Sequence, residues 1–201
     1  GSVTWDAATT ANWSTNSAGT TFTPTNWGAV AAGSKTAIFS AGTDAGAAYT
    51  VNVSGAITNV GGMTFEEGNV TITGGTSLTL ATNPAIFNVG AGITATVNTV
   101  IAGTGFGLTK STGTGTLVLA GNNTYNGTTT ISAGTLRATT SANALGAGTL
   151  SLGGGTLQLA NDTGLAFNRN TTVTTSSTIT SDRLTSGAGV TQTLGTLAIG
   201  A

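Results

Sequence analysis

Residues 107–136 run Gly107-Leu-Thr-Lys-Ser-Thr-Gly-Thr-Gly-Thr-Leu-Val-Leu-Ala-Gly-Asn-Asn-Thr-Tyr-Asn-Gly-Thr-Thr-Thr-Ile-Ser-Ala-Gly-Thr-Leu136. The tripeptide Gly-Thr-Leu closes the stretch and also stands inside it at 115–117. It returns at 148–150, 155–157 and 195–197, at successive offsets of 19, 14, 7 and 40. Offsets of 19 and 40 fit one and two circuits of roughly 20 residues, the period of a solenoid. The 14 and 7 together close another circuit, from 134 to 155, which leaves the 148 copy on a different side. Chance recurrence in a Thr- and Gly-rich chain is the competing reading. The x-Leu/Ile alternation that usually follows each copy argues against it.

Period-2 alternation recurs outward from this stretch, at Val70 and Ile72, Leu78 and Leu80, Ala95 and Val97, Leu117 and Leu119, Leu157 and Leu159. Such alternation puts apolar side chains on one face of a strand and Thr, Ser or Gln on the other. Gly-Gly, Asn-Asn and Ala-Gly pairs between the bursts are turn chemistry. A circuit of three short strands and three turns is a coil of a parallel β-helix. Each strand pairs with its equivalents one coil above and below. Leu, Ile and Val then stack inside while Thr forms β-branched ladders outside. The expectation is an all-β parallel β-helix over residues 66–201, about seven circuits and a rod of roughly 33 Å. Residues 1–65 hold Trp5, Trp13 and Trp27 and no Gly-Thr-Leu, and read as a small N-terminal β cap.

The composition excludes several classes. The chain has 201 residues, 46 of them Thr and 32 Gly, with no Cys and no His. Hydrophobic residues at 38% with charged residues at only 5% are the reverse of the disordered signature. Five basic residues, scattered at Lys35, Lys110, Arg137, Arg169 and Arg183, make no stripe for phosphates, so no nucleic acid is expected. No apolar run reaches the length of a membrane helix, and no membrane insertion is expected. Without Cys there is no disulfide framework or thiolate metal site. The opening Gly1-Ser2-Val3-Thr4-Trp5 fits a mature N-terminus after signal cleavage and an expression-tag scar equally well.

The stretch 107–136 resembles the autotransporter-associated β-strand repeat of bacterial surface passengers. The resemblance rests on the Leu-Thr-Lys opening, the Gly-Thr-Leu strand, the Asn-Asn-Thr-Tyr turn and the closing Gly-Thr-Leu. Looser echoes run on to Ala160, and Trp5-Asp6 with Ala11-Asn12-Trp13-Ser14 is similar to the start of many secreted proteins with this repeat. The resemblance implies a right-handed β-helix exported from a Gram-negative-type cell, secreted or held at its surface, with no catalytic residues to carry over. Such passengers end in a membrane barrel, whereas this sequence stops at Ala201 in mid-pattern. It is therefore a fragment, or it uses the repeat without that anchor.

Little in the sequence points to catalysis. The carboxylates are Asp6, Asp44, Glu66, Glu67, Asp162 and Asp182. Glu66 and Glu67 would point to opposite faces of a strand. Asp162 and Asp182, 20 residues apart with Arg183 alongside, could stack as a site, though a surface ion pair is the plainer reading. Asp44 or Asp162 with carbonyls is the nearest approach to a Ca²⁺ site, and the run Gly103-Thr-Gly-Phe-Gly107 lacks the helix a phosphate loop needs. No catalytic, cofactor or metal residues are assigned.

The expected function is therefore that of a non-enzymatic structural subunit of an extracellular filament, sheath or surface layer. Its partner is a second copy, added head-to-tail. The candidate assembly edge is Gly195, Thr196, Leu197, Ala198 and Ile199, an open strand able to add another. An adhesin binding glycans through Trp5, Trp13 and Trp27 is the alternative, with an inert passenger spacer behind it.

Overall fold

Thr, Val and Leu in alternation, cut every few residues by Gly or Asn, produce mostly short strands and tight corners. The computed structural model describes residues 2–7, 13–14, 24–25, 27–29, 34–40 and 47–200. Among these, the one helical element is a 3₁₀ turn at Trp27–Ala29. The first strands are β1 (Ser2–Trp5), β2 (Trp13–Ser14), β3 (Pro24–Thr25), β4 (Lys35–Phe39), β5 (Tyr49–Val53), β6 (Ala56–Phe65) and β7 (Val70–Gly74). Next come β8 (Ser77–Leu80), β9 (Ala85–Val89), β10 (Thr94–Val97), β11 (Ile101–Ala102), β12 (Leu108–Lys110), β13 (Thr116–Leu119) and β14 (Thr129–Ile131). The last are β15 (Thr135–Thr139), β16 (Leu150–Leu152), β17 (Thr156–Ala160), β18 (Thr171–Val173), β19 (Thr178–Asp182) and β20 (Leu197–Ile199).

The strands wind into a parallel β-solenoid. One sheet of eight runs β1-β5-β7-β10-β13-β15-β17-β19. The other, of ten, runs β11-β8-β6-β9-β12-β14-β16-β18-β20, with β4 also on β6. The long β6 pairs through Ala56, Ile57 and Val60 with β8 and through Gly62–Phe65 with β9. One strand thus serves two faces of the coil, and the solenoid has three. Ladder pairing is continuous across residues 65 and 66, because β1, β4, β5 and β6 are members of the same two sheets. Among the described strands, only β2 and β3 stand apart, as an antiparallel pair.

Register places like on like. Leu117 lies beside Leu136, Leu136 beside Leu157 and Leu157 beside Ile179, at offsets of 19, 21 and 22 residues. The three leucines are fully buried, each worth about 1.5–3 kcal/mol against exposure. One residue earlier on the same strands, Thr94, Thr116, Thr135, Thr156 and Thr178 form an outward ladder. The 148 copy of Gly-Thr-Leu does lie on another side, since Leu150 belongs to β16 in the second sheet. The 195 copy departs from expectation. Leu197 stands over Thr171 and, one coil earlier, Leu150, so it does not lie two circuits on from the 155 copy. Coils here vary in length, and a count by twenties drifts off the face.

The glycine of the repeat marks a corner with no room. Gly134 has φ +66°, and a Cβ there would fall 2.6 Å from Gly113 O and 2.7 Å from Gly115 O. Gly155 repeats the arrangement one coil on, with φ +70° and Gly134 O 2.5 Å from its would-be Cβ. Only glycine meets both the left-handed angle and the close approach of the neighbouring coil.

Candidate functional site

The expected assembly edge lies on the last layer of the second sheet. β20 pairs in parallel with β18 through Thr171↔Leu197, Thr172↔Ala198 and Val173↔Ile199. Thr196 O accepts from Thr171 N–H at 2.8 Å, and Gly200 N–H donates to Val173 O at 2.9 Å. Gly195 turns the chain into the strand at φ +126°, its would-be Cβ crowded by the Arg169 backbone. The other edge of β20 pairs with no strand among the described residues. Leu197 is 53% exposed and Ile199 77%, although their columns are buried in the coils beneath, at Leu150 and Leu152. Ile179 ends the Leu117–Leu136–Leu157 column at 39% exposure. The three side chains therefore present the cross-section of the core.

The indoles are placed differently from the glycan reading. Trp5 is fully buried and Trp27 nearly so. Trp5 meets Trp27 edge-on at 5.1 Å and Phe39 at 5.7 Å, and Phe39 stacks on Phe65 at 4.9 Å. Trp27 Nε1–H donates to Thr58 O at 2.7 Å, while Lys35 Nζ lies 5.4 Å from the Trp27 ring centroid and donates to Trp27 O at 2.6 Å. Stacking on a sugar needs an open ring face, and these rings are spent on the core. Trp5 and Trp27 are thus packing residues, which corrects the glycan-contact expectation for them. The Trp13 side chain lies outside the described residues, as does Asp44; the Trp13 backbone pairs with Thr25.

The acids hold loops. Asp162 Oδ1 accepts from Leu184 N–H and Thr185 N–H, both at 2.9 Å, and lies 3.6 Å from Arg183 Nε. Hydrogen bonding from Thr185 leads, helped by Leu184 and Arg183, in holding this carboxyl below its ordinary range. Asp182 accepts from Gln158 Nε2 and Arg183 N–H, both at 2.8 Å. Asp182 aligns with Ala160, so the two acids do not stack one above the other. A shallow hollow of about 290 Å³ opens beside Asp182 and Arg183, bounded by Ser181, Thr185, Gly187 and Val190. Among the described residues, no three His, Cys, Asp or Glu gather as metal ligands.

Two internal polar features escaped the sequence reading. Asn123 is buried, its Oδ1 accepting from Ile101 N–H at 2.8 Å and its Nδ2 donating to Ala144 O at 2.6 Å. One side chain thereby ties its coil to the coils before and after. Two residues on, Tyr125 is fully buried with its hydroxyl 2.7 Å from Thr129 Oγ1, which donates to Leu145 O at 3.0 Å. Burial raises the Tyr125 hydroxyl well above its ordinary value. The other feature is Lys110. Its column runs Met63, Phe87, Lys110, Ile131, Leu152, and the lysine is fully buried within it. Nζ donates to Gly113 O at 2.8 Å, Thr112 O at 3.1 Å and Ala133 O at 3.2 Å. Burial lowers its pKa from 10.5 to about 8. The available signal was parity, since Leu108 and Lys110 share a face of β12.

These features coincide with a region that matches a known family. Residues 108–138 match the model of the passenger-associated-transport-repeat, so the chain carries the repeat that its Leu-Thr-Lys to Gly-Thr-Leu stretch resembles. The match runs from β12 into β15 and takes in Lys110, Asn123 and Tyr125. No curated protein and no solved structure matches the chain. Fold and repeat together define a parallel β-solenoid that carries a passenger-associated-transport-repeat, and such a repeat implies a secreted or surface protein of a bacterium.

Proposed function

We propose that this chain is a non-enzymatic structural element, exported by a bacterium, that adds copies of itself head-to-tail into an extracellular filament or layer. The observation that supports the reading is the exposure of Ile179, Leu197 and Ile199 on the last described coil, although the columns they continue are buried. A second copy fits it best. Among the described residues, its β1 is the end strand of the first sheet and its β4 pairs with the stretch of β6 that also pairs with β9, and Val3 on β1 is 50% exposed. Parallel strands added in register would bury these side chains and satisfy the open backbone edge in one step. The contact is heterologous, so its repetition gives an open filament rather than a ring. With charged residues at only 5%, little repulsion opposes it. A mechanical role is also supported by the acids, since Asp162 is committed to loop hydrogen bonds and Asp182 to one from Gln158 on the neighbouring strand. Sedimentation velocity and negative-stain micrographs across a wide concentration range test the proposal. Elongated oligomers that vanish in a Leu197→Lys/Ile199→Lys variant are expected. A monomer at every concentration overturns it.

A further inference from the structure

Near-identical coils raise a problem of selection. β13, β15 and β17 carry Thr-Leu-x-Leu or Thr-Leu-x-Ala, while β14 and β18 read Thr-Thr-Ile and Thr-Thr-Val and β16 reads Leu-Ser-Leu. Sliding one strand past its neighbour by two residues keeps every apolar side chain facing inward, so hydrophobic patterning alone does not forbid it. The Lys110 ammonium does discriminate. Two of its carbonyl partners, on Thr112 and Gly113, belong to the turn that follows its own strand. The third, on Ala133, lies after β14 on the next coil. A two-residue slip of β14 against β12 would carry the Ala133 carbonyl about 6.6 Å along the strand. It would also bring a different residue to the position of Gly134, whose missing side chain leaves space beside Nζ. A Cβ there would fall 2.9 Å from the nitrogen.

We propose that Lys110 is a register key: a buried cation in an otherwise apolar column that admits one alignment of β12 with β14 and so sets the pairing of the coils that follow. A buried charge left short of a partner is strongly unfavourable, whereas an apolar residue of similar volume is neutral or better in the correct register. The lysine thus contributes selectivity and not net stability. Single buried polar groups fix alignment in coiled coils by the same logic.

The test compares the wild-type chain with Lys110→Met, each carrying either Thr109→Cys with Thr130→Cys, the native pair, or Thr109→Cys with Ser132→Cys, a pair matched only after a slip. After refolding under oxidising conditions, the wild-type background is expected to cross-link 109 to 130 and not 109 to 132. The Met background is expected to melt at the same temperature or higher, yet to cross-link both pairs, with at least a several-fold loss of selectivity. Unchanged selectivity in Lys110→Met overturns the proposal. Failure of that variant to fold also overturns it, because the ammonium would then be holding the fold up and not choosing its register.

Discussion

Asn123 and Ile101 sit on neighbouring coils with the Asn123 Oδ1 accepting the Ile101 backbone N–H at 2.8 Å, both residues buried. Because Asn123 Nδ2 also reaches Ala144 O, an Asn123→Ala exchange strands a buried donor on one coil and a buried acceptor on another. Each orphan costs about 1–3 kcal/mol, so the loss should be about 2–6 kcal/mol. Urea unfolding checks this, and Asn122→Ala, on an exposed neighbour, should change stability by less than ~1 kcal/mol.

Corner glycines should divide by their surroundings. Gly134→Ala meets two carbonyl oxygens of neighbouring backbone at 2.6 and 2.7 Å as well as an unfavourable φ of +66°. Gly92→Ala faces a comparable φ of +74° with nothing within 4 Å. Thermal melts should show the second losing on the order of 1 kcal/mol and the first clearly more.

Stability should rise with alkalinity over one window. The native pKa of Lys110 lies near 8 and its unfolded value near 10.5, so between them the unfolded chain binds more protons. Stability therefore increases from pH 8 toward 10.5, by as much as ~3 kcal/mol, and is flat below 8 with respect to this group. Melting curves at pH 7.5, 9 and 10 measure it, and Lys110→Met should abolish the slope.

Inward and outward positions of one strand should behave as opposites. Leu136→Ala removes a fully buried side chain from a column with Leu117 above and Leu157 below, a loss of about 2–5 kcal/mol. Thr135→Ala, one residue away on the partly exposed ladder, should cost within ~1 kcal/mol. Denaturant titrations of both variants decide it.

The Leu117–Leu136–Leu157 stack is legible in the sequence because the coils between them are close to twenty residues long and each strand opens with the same corner glycine. Leu197 is misplaced by the same count, since 26 residues separate it from Thr171 beneath and the extra chain shifts it to another face. The N-terminal strands lack Gly-Thr-Leu, yet Tyr49, Val51 and Val53 alternate, and alternation is all that pairing with β7 requires. Trp5 and Trp27 carry no sequence mark that separates a packed indole from an exposed one. Lys110 was hidden for the opposite reason, because a cation inside a core is legible only once the carbonyls that receive it are known.

Coil-on-coil winding is tested most directly by spin-label distances along the outward ladder. Thr94 and Thr178 are four strand spacings apart through Thr116, Thr135 and Thr156. With cysteines at those two positions, the backbone separation should be about 19 Å, shortening by ~4.8 Å when 178 is exchanged for 156. Distances that do not fall in such even steps would contradict the solenoid and everything built on it.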